Sequence, residues 1–302
     1  MSDAAALNMW HPRHWPTLLG LAFLRLVALV PTRFWPSLSV GLGWLLQQLV
    51  PSRRRVVERN LQLAFPEQND AWRDGVCEKN YQALALSLME TAKLWFADPS
   101  WLDEYVHIEG EEHLQRLTQQ GTPVILLSCH YLSIEIAGAA LCRAHPFYPV
   151  YAAAKNPLFE AFQKQKRLRF APDVVLGSDM RKAMRVLRGG GVLWMLPDHA
   201  VSGHRGAVAT RYFAQPVLST SGPARLQKRS GAKLVFFELE RQQERLKLVV
   251  RPPLSLDEST ELEQQAQALN DQFEAMIRRS PTEYFWQHKR FKSGVPGINP
   301  YS

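Results

Sequence analysis

Hydrophobic and polar positions change their pattern three times along the chain. Between Trp15 and Pro51, "WPTLLGLAFLRLVALVPTRFWP" and "SLSVGLGWLLQQLVP" are nearly continuous apolar runs punctuated by Pro16, Pro31, Pro36 and Pro51. From Asp70 to Phe96 the spacing becomes helical, and Tyr81, Leu84, Leu88 and Trp95 are expected on one face of a long helix. Beyond it, short apolar runs ("PVILLSC", "DVVL", "GVLWML", "AKLVFFE") are separated by stretches long enough for helices, such as "SIEIAGAALCRA" and "PLFEAFQKQKRLRF". Ser178 is placed to cap "DMRKAMRVLRGG", which stops at glycines. Near the end Leu262, Ala266, Leu269, Phe273 and Met276 recur at helical spacing. Short strands alternating with helices predict an α/β fold, a central mixed, mainly parallel sheet flanked by helices.

The apolar opening segment needs its own explanation. A spanning helix requires about 20 apolar residues, and Arg25 interrupts the first run. A charge at the bilayer centre costs at least ~2.5 kcal/mol. Segments lying in or dipping into the interface are therefore expected, with Trp15, Trp35 and Trp44 suited to that level. A tilted span and a pair of ordinary buried helices are the alternatives. Arg53, Arg54, Arg55 and Arg59 follow directly and fit an anionic, cytoplasmic headgroup surface. The division expected is a membrane-associating segment over 1–52 and a folded body over 53–302.

Composition narrows the partners. The 302 residues carry 36 Lys+Arg against 28 Asp+Glu, a net charge of +8 that favours anionic partners. With 46% hydrophobic residues the chain is neither disordered nor polytopic. The basic residues are spread among apolar helices without a recognised binding motif, so nucleic acid is not expected. Cys77, Cys129 and Cys142 form neither a CxxC pair nor an even set, which suggests a reducing compartment and no disulfide framework or zinc site. No cleavable signal peptide is expected, because the first apolar run lacks a small-residue cleavage site.

The chemistry concentrates where "VILLSCHYLSIE" ends. A buried strand over Val124–Cys129 would deliver His130 to the carboxyl edge of the sheet, where sites of open α/β folds collect. A helix starting near Ser133 would hold Glu135 in its first turn. From there its carboxylate can reach the imidazole, fix its tautomer and stabilise the imidazolium. The same helix N-terminus can stabilise an oxyanion. A structural histidine with a capping glutamate fits the short pattern equally well. Zinc is not expected, since an i, i+5 pair is not helix-ligand spacing and no third ligand stands out. Asp198 and His199 end the strand "GVLWMLPD" and are expected to face the same cleft. Arg167 and Arg169 suit phosphate or carboxylate, which guanidinium binds bidentately, or else form a solvated helix face. Asn156 opens a helix as a cap. His288, Lys289, Arg290 and Lys292, with Trp286 and Phe291, make either a docking patch or a plain basic tail.

His130 to Glu135 resembles the H-x4-D/E motif of acyltransferases that move a fatty acyl group onto a lipid hydroxyl. The blocks "HPRHW" (11–15), "RRRVVERNLQLAFPE" (53–67), "LMETAKLWF" (88–96), "KNPL" (155–158), "RLR" (167–169), "LPDH" (196–199) and "HKRFK" (288–292) narrow the resemblance. Together they look like the late lipid A acyltransferases of Gram-negative bacteria, the lauroyl/myristoyl type, over about residues 10 to 295. The resemblance implies His130 as general base and Glu135 as its catalytic partner. It implies substrate binding by Arg167, Arg169, Asn156, Asp198, His199, Lys289 and Arg290. Its donor is an acyl carrier protein thioester and its acceptor a phosphorylated, Kdo-bearing glycolipid, acylated at the cytoplasmic face of the inner membrane. Attack is direct, with no acyl-enzyme, so Cys129 is a spectator, and no cofactor or metal is implied. Ala152 stands where relatives often have arginine, and Arg211 where proline is common, which leaves the acceptor open. Another hydroxylated lipid or glycolipid, or a non-catalytic lipid-binding role, are the alternatives.

Overall fold

The computed structural model describes residues 11–201, 206–242, 245–255, 260–293 and 299–301. Residues 1–10 of the expected N-terminal segment and residues 202–205 after the "LPDH" block lie outside these. The prolines that punctuate the opening segment initiate helices rather than merely ending runs. Pro16, Pro36 and Pro51 occupy the first turns of α1 (Trp15–Val27), α2 (Trp35–Leu49) and α3 (Pro51–Ala64), where the missing N–H has no helical partner to lose. α1 and α2 meet at 97°, and among the described residues no single helix is long and apolar enough to cross a membrane.

α4 (Asp70–Phe96) is capped by Asn69, whose side chain accepts from the Trp72 N–H. It is buried nearly all round because α1, α2 and α3, the turn Pro281–Glu283 and the helix Ile134–Ala144 all pack on it. The single stripe expected from Tyr81, Leu84, Leu88 and Trp95 is therefore too narrow a reading. Leu88 is exposed, while Ala83, Ser87 and Met89 are buried well away from that stripe. Small residues set the α2–α4 approach. Ser39 and Gly43 of α2 are buried, and a Cβ on Gly43 would stand 2.7 Å from the Gln82 backbone nitrogen. Trp35, expected at an interface, is instead buried against Trp101 and Tyr105 with its indole N–H on the Val30 carbonyl. The outer surface of α1 and α2 stays apolar and exposed, with Leu19, Phe23, Leu26, Leu29 and Leu49 each at least 64% accessible.

The body follows as α5 (Leu102–Tyr105), β1 (Val106–Glu109), α6 (Glu111–Gln119), β2 (Val124–Leu127), α7 (Ile134–Ala144), β3 (Tyr148–Tyr151), α8 (Pro157–Arg167), β4 (Val175–Leu176), α9 (Met180–Arg188) and β5 (Val192–Met195). After them come the hairpin β6 (Ala207–Tyr212) and β7 (Gln215–Thr220), then α10 (Gly222–Ser230), β8 (Lys233–Gln242), β9 (Arg245–Val250) and α11 (Leu262–Arg279). Seven strands form one sheet in the order β1-β9-β8-β2-β5-β3-β4. Strands β8, β2, β5, β3 and β4 run parallel, and β9 turns back antiparallel to β8 with β1 parallel to it. The sheet is mixed and mainly parallel. α9 is capped by Asp179, which accepts from the Lys182 N–H, rather than by Ser178. β2 is completely buried, and its all-apolar sequence follows from having helices on both faces.

Candidate active site

The parallel register builds the site. Leu127, the last residue of β2, pairs with Met195, the last of β5, and His130 and Asp198 each lie three residues further on. Neighbouring strands thus release an imidazole and a carboxylate at the same level of the carboxyl edge. Asp198 Oδ1 lies 2.7 Å from His130 Nδ1, and its Oδ2 accepts from the His130 backbone N–H at 3.1 Å and from the Tyr284 hydroxyl at 3.0 Å. The carboxylate has no solvent exposure. Burial pushes its pKa up, but the His130 charge and the hydrogen bonds it receives outweigh burial and hold it well below the usual carboxylate range. An ionised carboxylate only accepts, so in the neutral ring the proton sits on Nδ1 and Nε2 carries the lone pair. Among the described residues nothing hydrogen-bonds Nε2, and the His130 side chain is 28% accessible.

Glu135 stands in the first turn of α7, but it is not the carboxylate on the imidazole. Arg167 of α8 holds it in a salt bridge, with Nε 3.4 Å from Oε2 and Nη2 on Oε1, and the same guanidinium lies over the Tyr151 ring. The expected His130–Glu135 contact is therefore corrected to His130–Asp198. The physical reason is that Asp198 arrives in register on the adjacent strand, while α7 carries Glu135 towards α8. Beside the Glu135–Arg167 pair lies a cleft walled by Trp95, Gly138, Cys142, Phe147, Phe170 and Trp194. Gly138 is what admits Trp194, since a Cβ there would meet the indole at 2.7 Å.

Histidines stack behind His130. The His199 ring lies against His130 with centroids 3.4 Å apart, and His288 lies against His199 at 4.1 Å. Burial, reinforced by the neighbouring His130, His288 and Arg290, pulls the His199 pKa down to about 3 despite Asp198, so it is neutral near pH 7. The donor atoms of His130, Asp198 and His199 lie within 4.8 Å of one another, near enough to share an ion, although both Asp198 oxygens are already engaged by protein donors. Cys129 is fully buried, and burial followed by the Asp198 charge pushes its thiol far up, opposing thiolate formation.

Several expected binding residues are otherwise occupied. Arg169 donates to the carbonyls of Leu94, Trp95 and Ala97, closing the C-terminus of α4. Asn156 caps α8 through the Leu158 and Phe159 N–H groups and donates to Thr17 Oγ1, tying α1 to the body. Arg290 is 1% exposed, packed on the Tyr212 ring and bonded to Ser219, so the patch expected over 288–292 is partly core. Lys289 sits over the Tyr301 ring.

Sequence reasoning missed two contributors. Tyr284 reaches Asp198 through an isolated bridge, Tyr131 to Tyr284, reinforced by the Phe285 N–H on the His130 carbonyl. Arg241 lies half-buried among Glu90, Glu283, Tyr105 and Ser133, the last being the residue before α7. No short pattern marks either residue; both depend on strand order.

A histidine fixed by a buried aspartate at the carboxyl edge of an α/β sheet, its second nitrogen open, is chemically equipped to take a proton from a hydroxyl. Residues 5–293 match the model of the family described as bacterial lipid A biosynthesis acyltransferase. The Escherichia coli lipid A biosynthesis lauroyltransferase is 31% identical over 291 residues, covering 95% of each chain. The E. coli palmitoleoyltransferase is 28% identical, covering 95% of this chain and 94% of its own. The E. coli myristoyltransferase is 26% identical, covering 96% and 91%. A solved 1-acyl-sn-glycerophosphate acyltransferase from Thermotoga maritima aligns with 82% of this chain and 95% of its own at a TM-score of 0.36 and 13% identity, too distant to bear on the site. The chain belongs to the bacterial lipid A biosynthesis acyltransferase family, and it is an acyltransferase.

Proposed function

We propose that this acyltransferase moves a lauroyl- or myristoyl-like group from an acyl carrier protein thioester to the 3-hydroxyl of an acyl chain on a Kdo-bearing lipid A precursor, in lipopolysaccharide biosynthesis. The observation that carries the reading is the buried Asp198 carboxylate on His130 Nδ1, which leaves the Nε2 lone pair open at the sheet edge. His130 Nε2 takes the acceptor hydroxyl proton while the oxygen attacks the thioester carbonyl. The tetrahedral adduct collapses, the C–S bond breaks, and the departing thiolate takes the proton back from the imidazolium. Asp198 stabilises that imidazolium without accepting its proton. Glu135 serves by fixing Arg167 at the cleft mouth, where the pair orients the reacting chains. Direct attack needs no cysteine.

The reaction is placed on the cytoplasmic face of the inner membrane, with α1 and α2 lying in the interface. Support comes from their exposed apolar side chains, each of which contributes about 1.5–3 kcal/mol when fully buried. A second reading keeps the chemistry and changes the acceptor to another hydroxylated lipid. It is favoured by the engagement of Arg169 and Arg290 within the protein, which removes two cations from a phosphorylated headgroup.

The test is acyl transfer from lauroyl- and myristoyl-carrier protein to the Kdo-bearing, tetra-acylated precursor in mixed micelles, wild type beside His130→Ala. A general base contributes about 10²–10⁴ in rate, so the variant should lose at least a hundredfold while staying folded. Full activity in His130→Ala would sink the mechanism. Transfer only to a different hydroxylated lipid would establish the second reading.

A further inference from the structure

α9 lies on the opposite side of the sheet from the bent apolar hairpin of α1 and α2. The β3–α8–β4 connection moves outward along the sheet and β4–α9–β5 returns inward, so right-handed crossovers put α8 and α9 on opposite faces. The packing agrees. Phe162 of α8 stacks on Trp95 of α4, the helix that carries α1 and α2, whereas α9 packs on β5 and α10, and α10 on α11.

On that far face α9 buries Ala183 and Leu187 and turns Met180, Arg181, Arg185 and Arg188 to solvent. With Met184 and Arg229 of α10 they line an open groove of about 500 Å³. Among the described residues none of these four arginines has a carboxylate within ion-pairing distance. The one ion pair made by α9 is Lys182 with Asp173, and Asp179 is engaged as the cap. Four uncompensated guanidinium groups around two methionines make a surface that repels itself unless something acidic covers it. The methionines supply adaptable apolar contact between the charges.

We propose that this groove is the docking surface for the acyl donor's carrier, an acidic protein whose carboxylates meet Arg181, Arg185, Arg188 and Arg229. The proposal rests on the carrier-thioester reading above. A soluble partner fits better than a membrane because the hairpin that would meet the bilayer is on the other face. Position fits as well. α9 begins beyond the end of β4, at the same carboxyl edge as His130 and Asp198, and packs on β5, the strand that delivers Asp198. Its nine residues span about 13 Å and run from that edge back towards the start of β5, so a carrier seated along it delivers its thioester on a flexible arm that reaches from the groove to the edge.

The experiment compares wild type with the triple variant Arg181→Glu, Arg185→Glu, Arg188→Glu, all exposed positions, using an acyl-carrier protein and an acyl-pantetheine thioester as donors to one acceptor. Electrostatic steering contributes about 10–10³ to encounter rates. In the variant, kcat/KM with the carrier should fall at least about tenfold and lose its salt dependence, with acyl-pantetheine turnover unchanged. Unchanged carrier kinetics overturns the docking surface, and an equal fall with both donors overturns it too. Flotation with anionic vesicles is the third arm: loss of vesicle binding with carrier kinetics intact would reassign the groove to a membrane. Wild type that does not use the carrier at all refutes the donor reading itself, before any variant is compared.

Discussion

The His130 imidazole lies flat against that of His199, the two planes 8° from parallel and their centroids 3.4 Å apart. One ring is tied to Asp198 and partly open to solvent; the other is half-buried and held neutral. A positively charged His199 would repel an imidazolium on His130. Its low basicity therefore spares the neighbouring ring a second charge.

That neutrality has a pH signature. His199 has a folded pKa of about 3 against an ordinary 6.5, so between these values the unfolded chain binds a proton that the folded chain refuses. Stability consequently rises with pH through this window and falls on acidification from about 6.5 towards 3. His199→Phe keeps a stacking ring and removes the titration. Its melting temperature should fall less steeply than wild type from pH 6.5 to pH 4.5, read by calorimetry; identical slopes would refute the assignment.

Asp198 and Glu135 should separate kinetically. Asp198→Asn places an amide donor where Nδ1 needs an acceptor, which favours the tautomer with a proton on Nε2 and disables the base. A kcat loss of about 10²–10⁴ is expected. Glu135→Gln loosens Arg167 without touching the His130–Asp198 bond, so its loss should be smaller and fall mainly on KM. Steady-state assays of both variants decide this, and a larger kcat loss in Glu135→Gln would reverse the two roles.

Arg241 neutralises Glu90 and Glu283, both nearly inaccessible, and donates to Ser133. Removing one partner of a buried ion pair typically costs about 3–5 kcal/mol. Arg241→Met should show a loss of that size in urea denaturation, with activity falling as the start of α7 loosens. A destabilisation under about 1 kcal/mol, the level of an exposed pair, would mean the two glutamates find other partners.

Gly43 fixes how closely α2 approaches α4. Gly43→Leu drives a side chain into the Gln82 backbone, whereas a Cβ added to Gly41 would meet nothing within 4 Å, so Gly41→Leu is its control. Overpacking costs about 1–3 kcal/mol. Thermal melts should show the loss in the Gly43 variant alone, accompanied by weaker vesicle binding if α2 is displaced.

The sequence shows strand content more readily than strand order. Val124–Cys129 reads as buried because it is nearly continuously apolar, although the strand itself ends at Leu127, before Ser128, and α7 starts one residue from where the pattern put it. The Glu135 contact misled because proximity in sequence stood in for proximity in space. Asp198 is 68 residues from His130 and meets it only because β2 and β5 are neighbours, a fact no local pattern carries. β3 escaped notice because Pro149 and two tyrosines make up most of its four residues. Arg290 read as a surface cation because its neighbours in "HKRFK" are basic, while the aromatic shell of Tyr212 and Phe291 that encloses it comes from a distant hairpin and its own segment.

The segment from Pro281 to Phe291 joins the site through Tyr284 on Asp198 and Phe285 on His130, and is itself held by Asn60 and Asn80 on the Trp286, His288, Thr282 and Tyr284 carbonyls. Synthesis from the amino end therefore completes every strand of the sheet before the His130–Asp198 pair gains Tyr284. A chain lacking this segment still carries the exposed apolar side chains of α1 and α2, so its apolar surface and its site are completed by opposite ends of the sequence.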